Sequence, residues 1–149
     1  MNPELDAALV GDFPMLYAQR GKPMNETAMC WGFDCGDGWY GIIRELSEQL
    51  EWLNEMGVCR VEATQVKEKF GTLRFYTALT EVRQDYPEGM VWALTGAAEA
   101  ASSWVCEQCG APGRPNDSGW IRTLCDKCAA KLSSGAPDVS DAERKEGEP

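Results

Sequence analysis

The sequence contains no histidine, and this absence excludes several kinds of chemistry. Imidazole is the commonest general base and the base of the Ser-His-Asp triads. The usual catalytic zinc sites, which have histidine ligands, are excluded as well. No apolar run approaches the roughly 18 residues of a membrane span. The N-terminal residues Met1 to Asp6 lack the basic and apolar regions of a signal peptide, so we expect a cytoplasmic protein without membrane association.

Basic residues are scarce in this sequence. Its 14 Lys and Arg residues are outnumbered by 24 Asp and Glu residues, which gives a formal net charge of −10. That charge disfavours binding to a nucleic-acid backbone. The imbalance is uneven, because residues 1–57 hold 10 acidic and 3 basic side chains, whereas residues 58–83 hold 3 acidic and 5 basic ones. An acidic half beside mildly basic segments favours binding to other proteins.

Apolar residues at helical spacing predict two helices. The first runs from about Trp39 to Met56, after a turn over Gly36-Asp37-Gly38, with Asp37 as its N-terminal cap and Gly57 as its end. The glutamates that we expect on its solvent side are Glu45, Glu48, Glu51 and Glu55. The second helix starts at Pro87, a favoured first position, and leads to the segment before the first CxxC pair.

Between these helices, alternating apolar and polar residues predict a β-hairpin with its turn near Lys69-Phe70-Gly71. The predicted fold class is therefore α+β, with two helices packed on a β-hairpin and a C-terminal zinc-ribbon-like module built on four cysteines. Residues 1–103 form the α+β core, in which residues 1–36 are irregular apart from a short helix around Glu4–Val10. Residues 104–132 form the module. Within it we expect a positive φ at Gly110 after the first CxxC turn, a loop over residues 111–119, a short strand over residues 120–124 and a helix starting at Asp126. We expect residues 133–149 to be a disordered acidic tail.

The seven cysteines, an odd number, argue against disulfides and for metal ligation in a reducing compartment. Two CxxC pairs, Cys106 with Cys109 and Cys125 with Cys128, are separated by 15 residues, which is typical of zinc ribbons. Four thiolates leave no open coordination position, so we predict one structural zinc ion. A redox pair or four buried free thiols are the alternatives.

The other three cysteines are interpreted as ordinary thiols. Cys30 and Cys35 form a CxxxxC pair, for which a second metal site with a carboxylate such as Asp34 is the alternative. Cys59 shares a face of the first hairpin arm with Val61 and Ala63, so we expect it in the core.

Three strings of residues carry a resemblance to a known family. They are ETAMCWGFDCGDGW (residues 26–39), QVKEKFGTLRFY (65–76) and CEQCGAPG with GWIRTLCDKC (106–128). Together they resemble a family of small proteins encoded by bacteriophages and prophages, without an established activity. Members often end the second CxxC pair with histidine where this chain has Cys128, and both residues suit zinc. The resemblance implies a phage or prophage origin, a location in the host cytoplasm, and binding to a host protein, with inhibition of a host defence system as one such role.

A partner surface is predicted where basic and aromatic residues collect on the hairpin and the module. These residues are Lys67, Lys69, Phe70, Arg74, Tyr76, Arg114, Trp120 and Arg122. Arginine and tyrosine concentrate binding energy at interfaces, and rigid elements lower the entropic cost of binding. The competing surface is the glutamate face of the first helix, acting as a mimic of nucleic-acid phosphates.

The sequence thus predicts non-catalytic binding to a host protein. The alternative is nucleic-acid binding through the zinc ribbon and the basic hairpin. A third reading is a degenerate metal-dependent nuclease, in which Gln65 and Lys67 join Asp37 or Glu62 around Mg²⁺. We expect Glu62 on the strand face opposite to Gln65 and Lys67, and Asp37 as a helix cap, and both expectations argue against an enzyme.

Overall fold

The computed structural model describes residues 1–86, 89–116 and 119–134, which form an α+β fold as the sequence predicted. Within these ranges, four α-helices accompany a three-stranded mixed sheet and a two-stranded ribbon. The elements are α1 (Pro3–Asp12), β1 (Phe33–Asp34), α2 (Tyr40–Glu55), β2 (Arg60–Lys69), β3 (Thr72–Thr80), α3 (Met90–Ser102), β4 (Arg114–Asn116), β5 (Arg122–Leu124) and α4 (Asp126–Ser133). Most of the predicted tail, from residue 135 onward, lies outside the described residues.

The N-terminal segment contributes to the core more than the sequence predicted. Helix α1 extends beyond the expected short helix at both ends. At its start Asn2 is the cap, because its side chain accepts from the Leu5 amide at 2.9 Å. After this helix the chain buries Leu16 and Tyr17 completely or nearly so. The Tyr17 hydroxyl lies 2.6 Å from Ser47 Oγ on α2. The helix predicted around Glu4–Val10 is therefore present as α1, whereas the expectation of an irregular chain over the rest of residues 1–36 is wrong for β1.

Helix α2 forms where the sequence predicted it, but Glu51 and Asp37 have roles other than those predicted for them. Glu51 is buried, and its carboxylate accepts from the amides of Met15 at 2.9 Å and Leu16 at 2.7 Å. These amides lie just beyond α1 and need acceptors that no helix supplies there. Asp37 is not the cap, because a 3₁₀ turn over Asp37–Trp39 precedes α2. Its carboxylate instead accepts from the backbone and side-chain nitrogens of Asn2, at 2.7 and 2.8 Å.

The predicted hairpin is formed by β2 and β3. Its two turn residues, Phe70 and Gly71, both have positive φ angles, of 54° and 77°. That combination matches the two-residue turns that fit the twist of antiparallel strands. Cys59, just before β2, is buried in the core, as predicted.

A bulge in β2 changes which residues share a face. The register of β2 against β3 shifts between Ala63 and Gln65, so Val66 rather than Gln65 points to the core. Glu62 therefore lies on the same outer face as Gln65 and Lys67, and the prediction of opposite faces is wrong. The period-two argument failed because one extra residue reverses the alternation. Strand β1 pairs in parallel with β2 at the other edge.

Helix α3 packs against β3 and α2. Its described part starts at Met90, while Pro87, the predicted start, lies outside the described residues. Val91 and Ala98 are buried against the core, and Ser102 Oγ accepts from the Leu73 amide at 2.8 Å. In the described ranges, no helix has both the length and the apolar character needed to cross a bilayer.

The C-terminal module holds more regular structure than expected. Strand β4 forms inside the predicted loop of residues 111–119 and pairs antiparallel with β5. The predicted strand over residues 120–124 is correspondingly shorter, since β5 starts at Arg122. Helix α4 begins at Asp126, where the sequence predicted a helix to start.

Candidate metal centre

The four cysteines of the two CxxC pairs come together in one cluster. Their Sγ atoms all lie within 4.8 Å of one another, and Cys109 Sγ is 3.7 Å from Cys125 Sγ. In a tetrahedral zinc site, Zn–S bonds of about 2.3 Å place the sulfurs about 3.8 Å apart. The cluster therefore fits a metal ion of this size and geometry. Across the part of the chain that the structure describes, it is the one group of three or more such candidate ligands.

Two different local structures present the thiols. The first pair follows α3, and its turn closes with a hydrogen bond of 2.9 Å from the Gly110 amide to the Cys106 carbonyl. Gly110 has a φ of 74°, the conformation predicted for the residue after this CxxC turn. The second pair lies at the start of α4, where Cys125 is the N-cap and its Sγ accepts from the Cys128 amide at 3.5 Å.

The surroundings of the thiols favour ionisation unequally. The Cys128 amide donates to Cys125 Sγ and lowers the pKa of Cys125 to about 7. Burial raises the pKa of Cys106, although hydrogen bonds to its sulfur oppose the shift. Burial also raises the pKa of Cys128. A bound cation stabilises all four thiolates together, so metal binding and release of protons are linked.

Glu107, one of the two residues between Cys106 and Cys109, connects the cluster to the core, and the sequence analysis missed this role. Its carboxylate is buried and accepts from the Gly36 amide at 3.0 Å and from Arg122 Nε at 3.2 Å. Its backbone carbonyl accepts from the Gly38 amide at 2.7 Å. Burial raises the pKa of Glu107, while the charge of Arg122 opposes the shift. Nothing in the sequence predicts that Glu107 is buried, because an acidic residue inside a CxxC pair is usually expected to face solvent.

The Gly36-Asp37-Gly38 segment is the surface on which the first CxxC turn rests. A Cβ atom at Gly38 would lie 2.7 Å from the Cys109 amide nitrogen and closer still to the Cys106 carbonyl oxygen. The neighbouring Trp39 is completely buried, and its indole N–H donates to the Val105 carbonyl at 2.8 Å. The glycines are therefore needed for close backbone approach as well as for the turn that the sequence suggested.

Cys30 and Cys35 lie apart from this cluster. Cys30 is half-buried, and its thiol donates to the Thr27 carbonyl at 3.2 Å. Cys35 is buried, and that burial raises its pKa to about 12. Among the described residues, neither cysteine belongs to a group of three or more candidate metal ligands, which favours the interpretation of both as ordinary thiols.

The structure joins the hairpin turn to the module. Trp120 Nε1 donates to Glu68 Oε2 at 3.1 Å, and Thr123 Oγ1 donates to the Gly71 carbonyl at 2.6 Å. Beside this contact, several predicted partner residues and Ile121, which the sequence analysis missed, form an exposed region that we call the tip–ribbon surface. It consists of the exposed residues Lys69, Phe70, Tyr76, Trp120 and Ile121 and of Lys67, which is half-buried.

The three predicted arginines have partners within the protein. Arg74 pairs with Glu99 on α3, and Arg122 pairs with the buried Glu107. Arg114 lies opposite Leu124 in the ribbon and pairs with Asp126 at 2.6 Å. Arg74 and Arg122 keep only about a quarter of their side-chain surface exposed, so they contribute to folding rather than to the tip–ribbon surface.

Comparison with protein-family models, with curated proteins and with solved structures gave no match. The protein has an α+β core and a cluster of four cysteines that could hold a metal ion.

Proposed function

We propose that this chain is a non-catalytic zinc-containing protein that binds another protein through the tip–ribbon surface. The metal is one Zn²⁺, held by Cys106, Cys109, Cys125 and Cys128. Four thiolates occupy all four tetrahedral positions, so no position is left for water or substrate and the role of the ion is structural. It holds the ribbon in place beside the hairpin.

The observation that carries this proposal is the exposure of large aromatic side chains on a rigid support. Phe70 is 66% exposed and Trp120 is 75% exposed, and both belong to segments fixed by the contacts between Glu68 and Trp120 and between Gly71 and Thr123. Aromatic residues are enriched where interfaces concentrate their binding energy. Lys69 Nζ, 5.4 Å from the centre of the Phe70 ring, adds charge beside the aromatic surface.

The resemblance to phage and prophage proteins supports a host protein as the partner, in the cytoplasm of the bacterial host. Inhibition of a host defence system is the role that we propose for this binding. The net charge of −10 also supports a protein partner over a nucleic acid.

Nucleic-acid binding is the second candidate, because the tip–ribbon surface combines two lysines with three aromatic rings. Lys67 Nζ lies 5.8 Å from the centre of the Tyr76 ring, on the face that also displays Lys69. Aromatic rings beside basic groups suit the stacking of unpaired bases.

The carboxylates that a nuclease centre would use have other partners, which supports a non-catalytic role. Glu62 accepts hydrogen bonds from Gln19 at 3.0 Å and from Arg60 at 3.2 Å, and these bonds lower its pKa. Asp37 is engaged by Asn2. A nuclease centre would need these carboxylates to bind Mg²⁺ instead.

Affinity capture from bacterial lysate tests the proposal. The zinc-loaded protein is compared with a Phe70→Ala, Trp120→Ala double variant, with and without nuclease treatment of the lysate. We expect a protein that is captured in both conditions and lost with the variant. A matched Met24→Ala, Trp31→Ala variant removes two large exposed apolar side chains away from this surface and is expected to retain capture.

Zinc content and circular dichroism of both variants show whether folding is unchanged. Capture that disappears after nuclease treatment would support nucleic-acid binding instead. Capture lost equally with both double variants would remove the tip–ribbon surface from the proposal.

A further inference from the structure

A groove runs between α2 and α3, on residues that the tip–ribbon surface does not use. It consists of two adjoining hollows of about 390 and 570 Å³, which share Glu45, Gln49 and Leu94. Its apolar lining comes from both helices, namely Ile42, Leu46, Trp52, Leu53, Met90, Leu94, Ala97, Ala98 and Ala101. The α3 wall from Met90 to Ala101 spans about 17 Å, the length of three helical turns.

The wall on the α3 side exposes apolar surface to solvent. Met90, Ala97 and Ala101, which line the groove, are all exposed. The charged residue of α3 is Glu99, which pairs with Arg74 on the other side of the helix. A helix in contact with water normally presents charged and polar residues there. This face is therefore built for contact with another molecule.

The α2 side of the groove carries negative charge. Glu45 and Glu48 line it, and its lining contains no lysine or arginine. The Glu45 carboxylate accepts from Gln49 Nε2 at 3.2 Å. Glu48 lies 3.4 Å from Arg44, but Arg44 is nearer to Asp12, at 2.6 Å. The groove thus joins an apolar floor to an acidic rim.

We propose that this groove binds an amphipathic helix of a partner protein, with apolar residues at positions i, i+4 and i+7 and with Lys or Arg along its flanks. An apolar groove about three turns long is the shape that such helices occupy. Basic flanks complement Glu45 and Glu48 and speed association. A second copy of this chain fits less well, because it would bring two acidic rims together in a protein of net charge −10. The inference extends the proposed function with a second surface and does not depend on the tip–ribbon surface.

The test measures binding of a fluorescently labelled leucine–lysine amphipathic helix to the zinc-loaded protein by anisotropy. The comparison peptide is a leucine–glutamate helix with the same apolar pattern. Ala97→Arg places a bulky cation in the groove, and Ala100→Arg makes the same change at an exposed α3 position that does not line it. We expect Ala97→Arg to weaken binding by roughly tenfold or more and Ala100→Arg by less than about twofold.

Charge is tested separately with Glu45→Gln, Glu48→Gln against Glu4→Gln, Glu26→Gln, which removes the same charge from exposed residues outside the groove. We expect the first pair to weaken binding and the second to leave it nearly unchanged. The proposal would be overturned if both glutamate pairs weakened binding equally. It would also be overturned if Ala97→Arg and Ala100→Arg weakened binding equally, or if the two peptides bound equally well.

Light scattering tests whether a second copy of this chain occupies the groove instead. A dimer of the free protein that dissociates with Ala97→Arg would assign the groove to a second copy and overturn the proposal. The Phe70→Ala, Trp120→Ala variant should bind the peptide normally, so a failure at the groove is distinguishable from a failure of the tip–ribbon surface.

Discussion

Replacement of Glu107 by alanine tests whether the metal module is part of the core. The change removes two hydrogen bonds and leaves the buried Gly36 amide without its acceptor. An unsatisfied buried amide costs about 2 kcal/mol. Removing one member of a buried ion pair costs about 3–5 kcal/mol. Because the Arg122 side chain keeps 22% of its surface exposed, we reduce that contribution to about 1 kcal/mol.

The expected loss in free energy of unfolding is therefore about 3 kcal/mol, or roughly 6–12 °C in melting temperature for a chain of this size. Glu107→Gln retains an acceptor for the Gly36 amide and loses only the charge, so its expected loss is about 1 kcal/mol. Glu55→Ala, an exposed change on α2, serves as the control and should stay within about 0.5 kcal/mol of the parent protein.

Urea unfolding followed by circular dichroism measures these differences. The concentration of free zinc must be held constant, because metal binding to the folded state adds stability by mass action. All three proteins should retain their metal. Equal stability of Glu107→Ala and Glu55→Ala would refute the reasoning, since it would mean that the CxxC turn rests on the core without contributing to it.

Three further predictions follow from the site. Elemental analysis should find one zinc per chain. Cys109→Ser should abolish the zinc content, whereas Cys30→Ala should leave it unchanged. A total of two zinc ions that falls by half with Cys30→Ala would instead reveal a second metal site. Gly38→Ala should destabilise the protein by about 2 kcal/mol or more, because its methyl group meets backbone, whereas Gly41→Ala, with open space around it, should be neutral or slightly stabilising in thermal unfolding. Incubation of DNA and RNA with the protein and Mg²⁺ or Mn²⁺ should produce no cleavage, and cleavage that depends on Lys67 would contradict the non-catalytic proposal.

The parts of the fold that depend on local pattern were predictable from the sequence. Helix α2 follows from apolar spacing, and the β2–β3 hairpin follows from alternation on either side of Phe70-Gly71. The cysteine cluster follows from two CxxC pairs at ribbon spacing, because ligand type and spacing largely determine this kind of site. Each of these inferences uses residues that are close in the chain.

The parts that failed depend on contacts between distant segments. Glu51 repeats at the spacing of a solvent-facing glutamate, but amides some 35 residues earlier turn it into a buried acceptor. The bulge at Thr64 reverses the faces of β2, and no residue of Gly or Pro type marks it. Gly36 reads as part of a turn, yet its amide donates to Glu107, which lies 71 residues later in the chain. Hydrophobic periodicity carries no information about such pairings.

The burial of one indole among many has a consequence for spectroscopy. Of the six tryptophans, Trp39 is completely buried and the other five are more than half exposed. A water-soluble collisional quencher should therefore suppress most of the emission of the folded protein and leave a blue-shifted remainder from Trp39. Because the indole of Trp39 is hydrogen-bonded to Val105, next to the first metal ligand, that remainder is an optical signal native to the chain. This emission would show in real time whether the first CxxC turn is packed against the core, without any added label.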